Sequence, residues 1–357
     1  RGEAVWGRLI TGVVPPRNRA RERAEIDDAL ADMAARGITE IHDIGTVPET
    51  DTRPAFFRER SFTDITLLTE RGADLPVRYS FRASLLRAGE LALPDLPPLV
   101  AFAGYKMSLD NGWYSSGGGG RPESFRWPGF DEALRLAKVA DGDGQPVSIH
   151  AMGDLGVDEA VTLLASLPSR LGSGLPPHRV IHARRIGRDA ARRCAAAGIV
   201  VETQPWEIVG SAERLTALGD AAFARRLSPY RDLLDDGVLV AFGSDRRLGL
   251  RTDQADTDPL TGIQIAVARS HPEITGPMVW QPDQAITLTE AVACHTRAGA
   301  IAAGAGATRG RIAPGCAADL VVLGADPWAA PADRIAAARP VLTICAGRIR
   351  YQAAGLT

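Results

Sequence analysis

The sequence predicts an α/β fold, a parallel sheet wrapped by helices and followed by part of a small β-domain. Three observations carry this. Short β-branched or apolar runs alternate with polar loops and amphipathic stretches, which is the pattern of βα units. After about Pro282 an Ala-rich helical segment gives way to turn-rich chain and short strands. The length of 357 residues, 45% of them hydrophobic, exceeds one ordinary domain and suits a large α/β barrel or two domains.

Taken in order, helix Ala24–Arg36 places Ile26, Leu30 and Met33 on one face, and Gly37 stands where a C-terminal cap belongs. Strand Ile38–His42 follows, then helix Phe56–Arg71 and strands Val77–Arg82 and Leu99–Lys106. Gly117–Gly120 is a loop with little intrinsic order, long enough for a lid or a plain excursion. Helix Phe130–Ala140, strand Pro146–His150, helix Asp154–Leu167, strand Arg179–His182 and helix Arg188–Ala197 continue the alternation, ahead of strands Ile199–Thr203 and Val238–Ser244. Thr287–Ala303 reads as one helix and Gly310–Gly315 as turns. Leu320–Leu323, Val341–Ala346 and Arg348–Tyr351 read as short strands, the last two joined at Gly347. The division expected is a barrel over residues 1–285 and a helix with small β-domain over 286–357.

Bulk composition excludes several classes. A formal charge of -2, from 41 basic and 43 acidic residues, argues against nucleic acid or acidic membranes as partners held by charge. No run approaches the roughly 18 apolar residues of a membrane span, so the chain reads as soluble. Four cysteines far apart with no CxxC pair argue against a disulfide framework or thiolate zinc site, and point to a reducing, cytoplasmic compartment.

Metal-competent side chains fall at the C-terminal ends of the expected strands. Lys106 ends one strand, and His150, His182 and Asp245 end three others. In a βα barrel that edge is where active sites are built. A lone strand-end histidine is more often a hydrogen-bonded structural residue; four such residues from four strands reverse those odds.

These residues sit in recognisable surroundings. His150-Ala151-Met152-Gly153-Asp154 resembles the HAxGD segment of the amidohydrolase superfamily, in its YtcJ-like branch (amidohydrolase family 3, which includes N-substituted formamide deformylases). Gly243-Ser244-Asp245 matches that branch's GSD, and Arg179-Val180-Ile181-His182-Ala183 resembles its RIEHA. Gly37-Ile38-Thr39, His42-Asp43, Lys106 with Asp110, Gln204-Pro205 and Asp258-Pro259 are similar as well. Gly310-Arg311-Ile312, Pro314-Gly315 and Ala318-Asp319-Leu320 resemble the closing G-x-I-x-x-G-x-x-ADL signature. The resemblance implies a (β/α)8 TIM-like barrel beside a small β-sandwich, and a metal-dependent hydrolase cleaving a C–N bond of an amide or formamide. It implies Lys106, His150, His182 and Asp245 as ligands to one or two divalent ions, zinc being the expected metal. Lys106 would serve as a carboxylated lysine, since a protonated ammonium is a poor ligand. Asp245 would also be the catalytic proton shuttle, from the attacking water to the leaving nitrogen.

Departures from the resemblance shape the expectations about partners. The branch opens on an HxH pair, and no HxH occurs in this sequence. The seven barrel strands map onto strands 2–8, and the opening half of the sandwich is missing. The chain begins with Arg1, so strand 1 and the HxH are expected from a second polypeptide, either a subunit or a cleaved piece, with a higher oligomer also compatible. Ile181 stands where the branch has Glu, and Arg246-Arg247 follows Asp245 where a small residue and Pro are commoner. A non-catalytic subunit that keeps the fold and binds a ligand or partner is the alternative; a fragment of a single-chain enzyme is a third.

Other residues carry two readings each. Trp113, Tyr114 and Trp206 lie just beyond strand ends and would line a substrate pocket or pack under loops. Arg246 would bind an anionic part of a small-molecule substrate or face water. Asp154 would orient a ligand histidine, cap the following helix, or both, and Asp110 would hold the Lys106 loop. His42 and Asp43 suit structural hydrogen bonds. His178 and His271 read as loop residues and His295 as a helix residue without a role.

Overall fold

The computed structural model describes residues 18–43, 68–72, 74–93, 95–110, 128–208, 227–245, 258–270 and 279–355. Seven strands form one parallel sheet in chain order: β1 (Glu40–His42), β2 (Arg78–Ser84), β3 (Val100–Ser108), β4 (Val147–Ala151), β5 (Arg179–His182), β6 (Val200–Thr203) and β7 (Val240–Phe242). Among the described residues β1 and β7 pair on one side only, so the sheet is an open barrel of seven staves. The C-terminal part is a three-stranded antiparallel sheet, β8 (Leu320–Leu323), β9 (Pro340–Cys345) and β10 (Arg348–Gln352), in order β10-β9-β8.

Helices cover the convex face of the large sheet. Helix α1 (Arg19–Ala35) begins where the Asn18 side chain accepts from the Arg21 backbone N–H, and it buries Ile26, Leu30, Met33 and Ala34. It ends at Gly37, whose φ of +79° suits glycine and whose missing Cβ leaves room for Val321 of β8. The small sheet thereby docks beside the first stave, and Tyr351 joins the apolar cluster of Ile26, Leu30, Tyr79 and Phe81. Helices α2 (Phe130–Gly142), α3 (Asp154–Ala165) and α4 (Arg188–Ala197) pack on strands β3 to β6 and close the main core around Val147, Ile149, Val180 and Val201. The later helices are α5 (Tyr230–Asp235), α6 (Pro259–Ala268), α7 (Leu288–His295) and α8 (Arg297–Ala302). No helix among the described residues is long and apolar enough to cross a membrane.

The concave face is held by charge. Glu202 on β6 accepts from Arg179 on β5 at 2.9 Å and lies 3.6 Å from Arg82 on β2. Arg179 reaches across to His42 Nδ1 on β1 at 3.2 Å, and Arg82 donates to the Asp43 backbone. This layer ties the first staves to the fifth and sixth across the barrel, in place of pairing between its two edges. Burial alone would raise the Glu202 carboxyl, and the pull of Arg82 and Arg179 overrides it, holding it at about 2.

Several expectations are corrected. Strands β2 and β3 run two residues further than read, because their ends, Ser84 and Ser108, are polar and look like loop. The edge strands β1 and β7 are shorter than read. The single helix expected over Thr287–Ala303 breaks at Thr296, whose ψ of -75° separates α7 from α8. Asp154 does not cap α3; Gly153 holds that position and Asp154 is in the first turn. His178 is buried, and its Nδ1 accepts from the Val147 backbone at 3.1 Å. His295, part-buried at the end of α7, lies edge-on to Phe242. Of Phe56–Arg71 only 68–71 is described, as helix; Gly117–Gly120 and His271 lie outside the described residues.

Candidate metal centre

Parallel staves point every second side chain inward, and their C-terminal ends put neighbouring loops on one rim. Register pairs Lys106 with Ser148 and Ser108 with His150, and Ala151 with His182, so Lys106, His150 and His182 stand on adjacent staves at one end. Asp245 follows β7 by three residues. His182, Glu207 and Asp245 each offer a ligand atom within 4.8 Å of the other two. His150 lies beside this set, its ring edge-on to His182 with centroids 4.4 Å apart.

The backbone is strained here. His182 has φ 73°, Ala183 43° and Asp245 54°, a left-handed region that side chains with a Cβ enter at a cost of about 1–3 kcal/mol. Such turns swing His182 and Asp245 out of strand geometry and onto the rim. His182 Nδ1 lies 2.8 Å from Gln204 Oε1, an acceptor, which puts the ring proton on Nδ1 and leaves the Nε2 lone pair for a ligand. Glu207 presents one oxygen 3.8 Å from His182 Nδ1, on the Gln204 side of the ring, and the other to the Arg184 guanidinium.

Asp110 is fully buried and holds the loop after β4. Its carboxylate accepts from the Met152 and Gly153 backbone N–H groups at 2.8 and 3.0 Å, and its backbone hydrogen-bonds the His150 ring. Gly156 permits this, because a Cβ there would come within 2.1 Å of the Asp110 carboxylate. Asp154 faces Arg185 at 3.5 Å. Trp206 donates its indole N–H to the Ser244 carbonyl at 2.5 Å, bracing the turn that carries Asp245. Trp113, Tyr114 and Arg246 lie outside the described residues.

Electrostatics suit a cation with nitrogen and oxygen ligands. Burial, with the charges of His182, Lys106 and Arg184, pushes the His150 imidazole well below its usual value and keeps it neutral. The Lys106 ammonium is brought down to about 8, first by desolvation and then by Arg82, against the pull of Asp245, Asp43 and Glu202. Two imidazoles with two carboxylates form a donor set that fits zinc or a similar divalent ion. Glu207 is the residue that the sequence reading missed. Its available signal was position, three residues beyond Gln204 on the turn that follows β6.

The family model described as the amidohydrolase family matches residues 1–351. YtcJ of Bacillus subtilis (strain 168) is 29% identical over 224 residues, 62% of this chain and 40% of that protein. The N-substituted formamide deformylase of Arthrobacter pascens is 28% identical over 226 residues, 63% of this chain and 39% of that one. The aligned stretch is thus about two-fifths of each relative's length. An uncharacterized metal-dependent hydrolase from Pyrococcus horikoshii has the same fold, with a TM-score of 0.66 at 19% identity over 91% of this chain and 63% of that one.

Proposed function

The chain belongs to the amidohydrolase family, and on that premise we propose that it carries the metal centre of a hydrolase cleaving the C–N bond of a small amide or formamide. The observation that carries this reading is the convergence of His182, Glu207 and Asp245 at one rim, the first and last on strained backbone, beside a neutral His150. A divalent ion held there, zinc in this reading, supplies Lewis acidity to the carbonyl and lowers the pKa of water. The chain's own residues do the rest. Gln204 orients His182, Asp110 orients His150, and Asp245 takes the proton of the attacking water and delivers it to the leaving nitrogen. Lys106, with its amine near neutrality, reacts with carbon dioxide to give a carbamate and a proton, which turns a cation into an oxygen ligand.

The eighth stave and a further histidine pair come, in this reading, from a second polypeptide. Support lies in the one-sided pairing of β1 and β7 among the described residues. The Ile181 substitution favours a second reading, a ligand-binding subunit without catalysis.

Metal analysis of the intact assembly decides between them. The hydrolase reading expects a bound divalent ion and a loss of about 100- to 10,000-fold in turnover for Asp245→Asn. An assembly free of metal favours the binding subunit, and full activity without metal ends the hydrolase reading.

A further inference from the structure

Each rim histidine stands at the start of a turn, His150 before the one that follows β4 and His182 before the one that follows β5. The two turns are joined beyond the end of the sheet. Ala183 N–H donates to the Ala151 carbonyl at 2.9 Å, and Arg185 N–H to the Met152 carbonyl at 3.2 Å. Arg185, 5% exposed, then brings its guanidinium to 3.5 Å from the Asp154 carboxylate in the first turn of α3. Met152 is therefore gripped at both ends, its N–H by Asp110 and its carbonyl by Arg185. On its other side Arg185 forms an antiparallel bridge with Leu227.

This join stands where the backbone needs one. His182 and Ala183 are consecutive residues at positive φ, 73° and 43°, and such a pair persists only where its surroundings over-determine it. A buried ion pair is a poor source of net stability, because desolvating two charges offsets most of their attraction. Asp154, in the first turn of a helix, is already well placed towards the helix N-terminus and does not need an arginine. The pair therefore gives direction rather than stability: it fixes the far side of the strained residues against the turn that follows His150.

We propose that Arg185 is a positioning residue that, through Asp154, holds the His150 and His182 turns as one unit, so that a cation meets both imidazoles together. Only the last clause rests on the metal-centre reading. Zinc affinity of the intact assembly, measured by competition with a chelator, should fall about 10- to 100-fold in Arg185→Gln and in Asp154→Asn. The double variant should be no worse than either single one, and Arg185→Lys should recover part of the loss. The visible spectrum of the cobalt-loaded assembly should change in the same single variants. Unchanged affinity and spectrum, or losses that simply add in the double variant, would overturn the proposal. Amide hydrogen exchange of the metal-free assembly tests the join itself. Arg185→Gln leaves Asp154, with 16% of its side chain exposed, at a helix end that tolerates its charge. Exchange should speed up in both 150–154 and 182–186 in this variant, and a change confined to 182–186 would reject the proposal. An assembly that takes up neither zinc nor cobalt ends the metal-centre reading, and the exchange result then decides this one.

Discussion

Gln204 makes no contact with a reacting atom in this account, yet it decides which nitrogen of His182 is free. Replacing it with Leu leaves the strand end in place and removes the acceptor that fixes the ring proton. Metal affinity should fall about 10- to 100-fold in Gln204→Leu, as measured by competition with a chelator. Unchanged affinity would show that His182 does not bind metal through Nε2. Part of this was legible before the structure. His150, His182 and Asp245 stand at strand ends, where chain order alone suggests a rim, and Gln204-Pro205 marked the turn. Glu207 was not legible, because a carboxylate beyond a turn is usually solvated, and only the folding of that turn against Arg184 buries it. Arg82 and Arg179 were equally silent, since a charged residue in a strand reads as its solvent face until the sheet curls around it.

Elements place these residues, and their junctions are where the sequence speaks least. The β-branched runs of β4, β5 and β6 announce themselves because strands buried on both faces are apolar almost throughout. Their ends do not: Ser84 and Ser108 extend strands that look finished two residues earlier. The junction of β4 and α3 depends on a single glycine. In Gly156→Ala the new methyl meets the Asp110 carboxylate, which two backbone N–H groups already fix. Overpacking of this kind should cost about 1–3 kcal/mol in chemical denaturation and weaken metal binding through His150. A stability change with metal affinity unaltered would uncouple Asp110 from the site.

At the scale of the molecule, an open barrel is held in shape by a charged interior as well as by apolar packing. Glu202 links β6 to β2 and β5, and its carboxyl is lowered from about 4.5 to about 2 by the arginines that overcome its burial. A lowered acid stabilises the fold above its unfolded pKa and loses that contribution as pH falls towards the folded value. Stability should therefore drop between about pH 4.5 and pH 2, and Glu202→Gln should remove that part of the pH dependence. The substitution should also cost about 3–5 kcal/mol at neutral pH, because it strands two buried guanidinium groups. A pH profile identical to wild type would show that the charge layer does not hold the barrel. The rim above that layer is where the account is most exposed, and anomalous diffraction from crystals of the zinc-loaded assembly, recorded across the zinc edge, tests it most directly. The account predicts a peak about 2.0–2.2 Å from His182 Nε2 and from carboxylate oxygens of Glu207 and Asp245. A peak bound elsewhere, with these three side chains unligated, would contradict it.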